Sequence, residues 1–488
     1  MRTFQYDILG NLPLEMACLV AEYLPLVDII RLRRVSRRWQ QVLSSQALCR
    51  AAVLATLGKD PWARDSNPKA TSYANPDAHS EARPGVALAT SSDSTPASTV
   101  PPDMPRSVPI TSYSATSFTK FVRRRLRLER GTPYSVTRMP MPLDIGDSWT
   151  DPKLRIIYSE GSCAWVEETG DPDSVVVLNL RNGNRTKFTT DNREELIGLT
   201  FAKPLIAAVS IRGYCHVWNI DTSQSSSFRL PSLDITRTLI SGTKVVIQYG
   251  DSFVYWSFDT GLAREMKTGQ FRVLALAPHP SEERITIVRL CPKDLAHHRK
   301  LRVEECQLQV AEYSLDSMTE ISSRYQSFPK SAFPRPGDCL ENRMDDWGIH
   351  NPSQGSTIMV YEREQQLLAR REGHSTLFSV SIEPDGLVAF HTFPEVEDLF
   401  ELTCPEQGLV YAILEEGVLI SKARIIRSLS NSYVWYDYQD HSSVEIPAAA
   451  VLGDADFMVF CCDEDMEVWA MDEPDPEDEE VVKLMNEF

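Results

Sequence analysis

Leu12 to Trp39 reads LPLEMACLVAEYLPLVDIIRLRRVSRRW. Leu12-Pro13 opens a helix, because proline suits the first helical position, where a missing N–H leaves nothing unpaired. Leu12, Met16, Leu19, Val20 and Tyr23 then recur at three- and four-residue steps and make one apolar stripe. Pro25 ends that helix. Asp28 to Arg34 reads as a short second helix carrying Ile29, Ile30 and Leu32. Ser36 is placed to cap a third helix, with Trp39, Val42 and Leu43 on its buried face. Helices this short bury too little surface to be very stable alone. A compact helical trio with apolar surface to spare suits a docking module.

The order of landmarks resembles the F-box. A Leu-Pro start (Leu12-Pro13) is followed by the acidic Glu15, the pair Tyr23-Leu24, Asp28, and Val35-Ser36-Arg37 with Trp39. Met16 and Val20 stand where Leu and Ile are commoner in that family, which leaves the surface apolar. The resemblance implies a small all-α domain, three helices plus an extension, over residues 8–58. It implies docking to the Skp adaptor and, through it, to the cullin and RING subunits of an SCF ubiquitin ligase. The adaptor-binding residues it implies are Leu12, Pro13, Glu15, Met16, Val20, Leu24, Ile29, Leu32, Val35 and Trp39. The alternative is an ordinary N-terminal helical cap on a larger fold.

Outward from this segment the chain is long. Its 488 residues exceed one typical domain, and a 42% hydrophobic share is enough for a sizeable core. A net charge of −18 argues against nucleic acid as a partner for the bulk of the chain. The 10 cysteines are scattered, and adjacent Cys461-Cys462 suits neither a zinc knuckle nor a redox pair. Met1 to Gly10 does not read as a signal peptide, and no stretch approaches the ~18 apolar residues of a membrane span. Cytoplasm or nucleus is the expected setting.

Ser45 to Gly58 continues helically. Residues 66–117 are then rich in Ser, Thr, Pro and Ala and read as a disordered linker, since they hold too little apolar surface to offset the entropy of ordering. Asp93-Ser94-Thr95-Pro96 is either a proline-directed phosphorylation site or simply linker composition. Residues 118–131, FTKFVRRRLRLERG, form a basic helix with Phe118, Phe121, Val122, Leu126 and Leu128 inward and Gly131 as its C-cap. It resembles the helix between F-box and propeller in proteins that carry both. A solvated charged helix and a nuclear-localisation patch are the other readings.

Residues 149–472 are different. Short runs rich in Val, Ile, Tyr, Phe and Trp alternate with turn residues. HVWNIDT (from His216), VYWSFDT (Val254), AEYSLDS (Ala311), YVWYDYQ (Tyr433) and EVWAMDE (Glu467) share an aromatic followed by Asp; VVLNLRN (Val176) and MVYEREQ (Met359) are weaker copies. Spacings near forty residues between the early copies mark a repeat. LTFAKPLIAAVS, LALAPHPSEERITIV and VSIEPDGLVAFH each read as strand, proline-containing turn and strand. Such blades bury their apolar faces only against one another and so close into a ring. The pattern resembles a degenerate WD repeat and implies an all-β propeller of seven blades, with six the alternative. Trp218, Trp256 and Trp435 are expected at equivalent buried positions. Residues 473–488 form an acidic tail, read as solvated or as a dock for a basic partner.

No phosphate loop, dinucleotide fingerprint, HExxH or GxSxG elbow is present, and Gly-Asp-Ser at 146–148 and 250–252 suits turns. No catalytic, metal or cofactor residues are assigned. The implied function is therefore non-catalytic: a substrate receptor with an unidentified protein target on the propeller. The alternative is a propeller scaffold that binds the Skp adaptor without cullin. Propellers that read phosphorylated targets use converging arginines; Arg155, Arg212, Arg237 and Arg264 are available here. The combination also resembles the large F-box families of filamentous fungi.

Overall fold

The structure is a computed structural model that describes residues 12–57, 115–143, 156–167, 173–190, 193–250, 252–267, 272–279, 282–292, 306–326, 350–351, 356–362, 375–382, 387–393, 401–406, 408–414, 417–427, 433–462 and 464–473. The expected linker up to residue 114, the acidic tail from residue 474, Asp93 to Pro96, Arg155 and Gly146 to Ser148 lie outside them. The chain divides into two compact units, 1–122 and 123–488.

The first unit holds α1 (Leu14–Glu22), α2 (Leu26–Leu32), α3 (Arg37–Leu43), α4 (Gln46–Leu57) and the first half of α5 (Ala115–Arg130). Pro13 stands one place earlier than expected: it is the N-cap of α1, with an extended ψ of 148°. Pro25 caps α2 in the same way, so α2 begins at Leu26 rather than Asp28. Ser36 caps α3 as its sequence position predicts, its side chain accepting from the Trp39 N–H at 3.1 Å. Ala17 and Ala21 are the buried face of α1, which packs on α4, where Leu48, Ala52 and Val53 are buried. Small side chains allow that close approach.

Arg33 joins these pieces. Its Nε and Nη2 donate to the Leu43 carbonyl at 3.1 and 2.8 Å, satisfying one of the last carbonyls of α3. Nη1 donates to Thr119 Oγ1 at 3.1 Å, and the guanidinium lies 4.9 Å from the Phe118 ring centroid. Burial pushes the Cys49 thiol up, and Arg33, 3.1 Å from its sulfur, opposes that shift. Phe118, Phe121 and Val122 are buried with this core. The helical trio is therefore closed by α4 and by the first half of α5, so the folded unit extends beyond residue 58.

The second half of α5 belongs to the second unit. Its inward residues are Leu128 and, against expectation for a basic helix, Arg125; both are fully buried, whereas Leu126 is only half-buried. Arg125 donates to Glu406 at 2.8 Å, to Glu129 at 2.9 Å and to the Gly408 carbonyl at 3.3 Å. Burial disfavours its charge, but the two carboxylates outweigh burial and hold its pKa above the ordinary value. Burial likewise raises the Glu129 carboxyl, and Arg125 and Lys422 together outweigh that and lower it. Arg124 reaches Asp456 at 2.8 Å, and Arg127 donates to the Met471 carbonyl at 2.9 Å. The helix ends at Gly131, whose φ of +60° is left-handed, with the Thr132 N–H returning to Arg127 O at 3.0 Å. A Cβ at Gly131 would stand 2.5 Å from Val444 Cγ2, so glycine is required twice over. The Tyr411 hydroxyl donates to Leu128 O at 2.6 Å and Ser442 Oγ to Glu129 O at 3.2 Å, pairing further end carbonyls.

The strands that follow make seven blades. Blade one comprises Ile157–Ser159, Ser162–Val166, Ser174–Asn179 and Arg185–Thr189; blade two Leu196–Ala202, Leu205–Ser210, Tyr214–Asn219 and Ser225–Arg229; blade three Ile235–Ser241, Lys244–Tyr249, Ser252–Ser257 and Ala263–Lys267. Each is an antiparallel sheet in chain order. Blades four to six share one 12-stranded sheet. Blade four is Arg272–Pro278, Arg284–Pro292, Cys306–Ser314 and Thr319–Gln326; blade five is Ser356–Glu362, Ser375–Ile382 and Val388–Thr392; blade six is Glu401–Glu406, Leu409–Leu414, Gly417–Arg427 and Tyr433–Val444. Blade seven is Ala450–Gly453, Phe457–Cys461 and Asp465–Ala470, completed by Ser135–Pro140 from the start of the unit. The propeller thus begins at residue 135, upstream of the expected 149.

Core packing gives the ring. Seven hydrophobic clusters among the described residues each straddle two consecutive blades. Phe188 of blade one packs with Trp218 of blade two, and Phe228 of blade two with Trp256 of blade three, ring centroids 6.1 and 5.0 Å apart. The last cluster joins Val459, Cys461 and Val468 of blade seven to Cys163, Trp165 and Val176 of blade one. With the turn positions on the surface and the apolar faces between blades, no blade has a core of its own.

Several repeat assignments are corrected by this topology. Trp218, Trp256 and Trp469 occupy third strands and are buried, but Trp435 does not match them. It lies half-buried on the outer strand of blade six and donates to Thr392 Oγ1 at 2.8 Å. That twelve-residue strand pairs antiparallel with its own blade, while Tyr433 to Asp437 also add in parallel to Val388–Thr392 of blade five. MVYEREQ belongs to the first strand of blade five, and VSIEPDGLVAFH contains its second and third strands rather than its first two. The true third strands of blades five and six, VAFHT and GVLISKARIIR, lack the aromatic–Asp ending that marks those of blades two, three, four and seven.

Removing the chain from Ala450 onward takes away blade seven and two of the seven clusters. The truncated protein is expected to lose the cooperative thermal transition of the full chain, followed by near-ultraviolet circular dichroism. Arg125→Ala leaves Glu406 and Glu129 without their buried partner and is expected to cost about 3–5 kcal/mol in denaturant unfolding of the propeller.

Candidate functional site: an exposed apolar stripe on the first helices

The first helix, α1, turns its small side chains inward and its large apolar ones outward. Along α1, Met16, Leu19, Val20 and Tyr23 fall at i, i+3, i+4 and i+7 and are 48%, 49%, 36% and 88% exposed. Leu14 and Val35 are also exposed. A soluble surface seldom keeps such a contiguous apolar run unless something covers it. The stripe is framed by charge: Glu15 and Glu22 on α1, and Asp28 with Arg31, 3.2 Å apart on α2. Burial, Glu15 and Glu22 together push the Cys18 thiol up, so it remains a neutral thiol at the stripe's edge.

The ten residues implied by resemblance divide by exposure. Pro13, Glu15, Met16, Val20 and Val35 are exposed, and Leu12, Leu24, Leu32 and Trp39 are half-buried. Ile29 is fully buried and is a core residue beneath the surface rather than part of it. Leu14, Leu19 and Tyr23 extend the exposed surface. Leu19 and Tyr23 were legible in the helical stripe; Leu14 was not, because it stands off that period.

The propeller offers a different picture. Among the described residues no group of three His, Cys, Asp or Glu is placed to hold a metal ion. A Ser–His pair does occur: Ser381 Oγ lies 2.8 Å from His391 Nε2. It sits at the seam between blades five and six, with His391 stacked 4.9 Å from Tyr436, and both residues are buried, which keeps a substrate away. In blade two Ser210 donates to Glu194 at 2.6 Å, and this bond, with His216 beside it, holds the Glu194 carboxyl below its usual range despite burial. His216 stacks in turn on Trp218, two residues along the same strand. The three arginines among the described residues have different settings. Arg237 is buried in a first strand, Arg212 is exposed in a turn between second and third strands, and Arg264 bonds Leu315 O and Asp316 at the opposite end of its blade.

The F-box domain model matches residues 9–50. No curated protein matches the chain in sequence. Among solved structures, a chain of the mitotic checkpoint complex is 9% identical with a TM-score of 0.40, covering 78% of this chain and 99% of that one. The Pan2 WD40 domain of Neurospora crassa is 10% identical with a TM-score of 0.34, covering 68% and 94%. At that distance the propeller rests on its own strand order and closure.

Exposure and burial within one helical unit give a direct test. Met16→Asp is expected to leave the unfolding free energy of the full chain's first unit within about 0.5 kcal/mol of the parent, whereas Ile29→Asp places a charge in the core and unfolds that unit. Hydrogen exchange of the 12–57 amides reads the two apart.

Proposed function

We propose that this F-box protein with a C-terminal WD-like propeller is the substrate-receptor subunit of an SCF-type ubiquitin ligase. An F-box adaptor brings one protein to another; here the exposed stripe Met16–Leu19–Val20–Tyr23 within the matched F-box segment carries the reading. Each large side chain buried there by an adaptor contributes about 1.5–3 kcal/mol, so four or five suffice for a stable complex once the cost of association is met. The rest of the first unit prepares that surface: Ala17, Ala21 and Ile29 pack beneath it, and Arg33 fixes the ends of the helices that carry it.

The propeller holds the target, and the chain itself performs no bond-making step. Its contribution to ubiquitin transfer is effective concentration and orientation. α5 supports this role by its composition: Phe118, Phe121 and Val122 serve the first unit's core, while Arg125 and Leu128 serve the second's.

The full chain is expected to bind purified Skp adaptor, and to retain cullin and RING subunits when these are added. Met16→Asp with Val20→Asp is expected to weaken adaptor binding by about a hundredfold or more, with the chain's melting unchanged. Adaptor binding that excludes cullin would favour the scaffold role instead. Unchanged adaptor binding by the double variant removes the F-box reading of the stripe.

A further inference from the structure

The second half of α5 carries two kinds of arginine. The inward pair is neutralised: Arg125 meets Glu406 and Glu129, and Arg124 meets Asp456 and Glu406. Arg123, Arg127 and Arg130 form a second set. They stand at i, i+4 and i+7, so they share one face and span about 10 Å of helix. Arg123 and Arg130 are exposed, and among the described residues none of the three pairs with a carboxylate. Arg127, between them, lies over the Tyr134 ring at 5.0 Å from its centroid. Like charges at this spacing repel one another. In a chain of net charge −18, an uncompensated stripe of arginines is a local exception.

Blade seven delivers the opposite charge to the same place. The Arg127 guanidinium donates to the Met471 carbonyl at 2.9 Å, which fixes that point of the chain against the middle of the stripe. Met471 is buried, Asp472 is half-buried and Glu473 is exposed, so the chain comes to the surface there. The nine residues that follow Met471 read DEPDPEDEE; seven are carboxylates and none is a cation. An extended chain advances about 3.3 Å per residue. Residues 475–480 therefore reach Arg123, about 6 Å along the axis from Arg127, and Arg130, about 4.5 Å along it, with length to spare.

We propose that the acidic segment 474–480 docks in cis along the Arg123–Arg127–Arg130 stripe. Single surface ion pairs of this kind are weak and screened by salt. Here several carboxylates face three guanidinium groups, and the tether is only a few residues long, so the segment meets the stripe at a high effective concentration. Arginine suits this task, since its planar fork can take a carboxylate through two N–H groups at once. The docked segment is a strap over the outer face of the helix within the second unit. It neutralises the stripe and withholds it from acidic segments of other proteins. The proposal stands independently of the adaptor reading.

Two measurements on the full-length chain test it. In the first, Arg123→Lys with Arg130→Lys keeps the charge and supplies amines for zero-length carbodiimide coupling, read by peptide mass spectrometry. Coupling of these amines to carboxylates of 475–480 is expected at about 0.01 M salt and is expected to disappear at about 1 M, where charges are screened within ~3 Å. Lys187, exposed on blade one beside Glu167, is the control amine and is expected not to couple to the segment. Mixing isotope-labelled with unlabelled chain separates coupling within one copy from coupling between copies. In the second, phenylglyoxal modification of Arg123 and Arg130 is timed in the unaltered chain and in the variant Glu477→Gln, Asp478→Asn, Glu479→Gln, Glu480→Gln. The variant is expected to react about threefold faster or more at low salt. This measurement leaves every described residue in place and decides the matter should the lysine pair disturb folding. Coupling no greater than that of Lys187, coupling only between copies, or equal phenylglyoxal rates each overturns the proposal and leaves the stripe to an acidic segment of another protein.

Discussion

The closing pair of strands is the constraint on which the larger unit depends. Ser135–Pro140, from the start of the unit, runs antiparallel to Asp465–Ala470 from its end, with Arg138 opposite Glu467 and joined to it at 2.8 Å. Without that pairing blade seven lacks its outer strand and blade one loses the neighbour that covers Trp165 and Val176. Every other apolar cluster in the ring is shared between two blades in the same way. Stability is therefore collective, and the two ends of the unit, far apart in sequence, are the place where it is made complete.

The ring is regular in one half and irregular in the other. Blades one to three are separate sheets, each handing one large side chain, Phe188, Phe228 or Met266, from its outer strand to the next blade. Between blades five and six the outer strand of one becomes the parallel neighbour of the other, and Phe390, Tyr436, Tyr438 and His391 fill the seam. A parallel addition of this kind leaves the two blades as one continuous sheet. It also explains why the repeat fades just there: a strand paired on both edges is selected for sheet packing on both faces, and the aromatic–Asp turn signature of an ordinary third strand has no place in it.

Within the first unit, α1 inverts the usual distribution of side chains. The unit's core is made by Ala17, Ala21, Ile29 and residues of α4 and α5, while the largest side chains of α1 face water. That arrangement leaves large apolar side chains in water, at a cost in hydration free energy. Arg33 makes it tolerable by tying α3, α4 and α5 through one guanidinium whose donors meet Leu43 O, Thr119 and Cys49. Arg125 performs the corresponding task in the second unit, as a buried cation between two carboxylates.

Much of this was legible in the residues themselves. The Ser36 cap, the Gly131 stop, the i, i+3, i+4, i+7 stripe of α1 and the aromatic–Asp spacing at Trp218 and Trp256 are local patterns, and local geometry follows from local chemistry. Periodicity says which side of an element is apolar. It does not say what lies against that side. Hence Ile29 and Met16, equally apolar in the sequence, part company only when folding packs α2 against α3 and α4 and leaves the outer side of α1 open. Arg125 looked like one more solvated charge until Glu406, 281 residues away, was brought against it. Trp435 carried the right neighbours in sequence and the wrong strand in space, because strand pairing is decided by which edges meet. The sequence by itself determined the helices, most of the strands and the F-box match at residues 9–50; tertiary packing decided which apolar and charged side chains were buried, since burial is a property of the neighbour as much as of the residue.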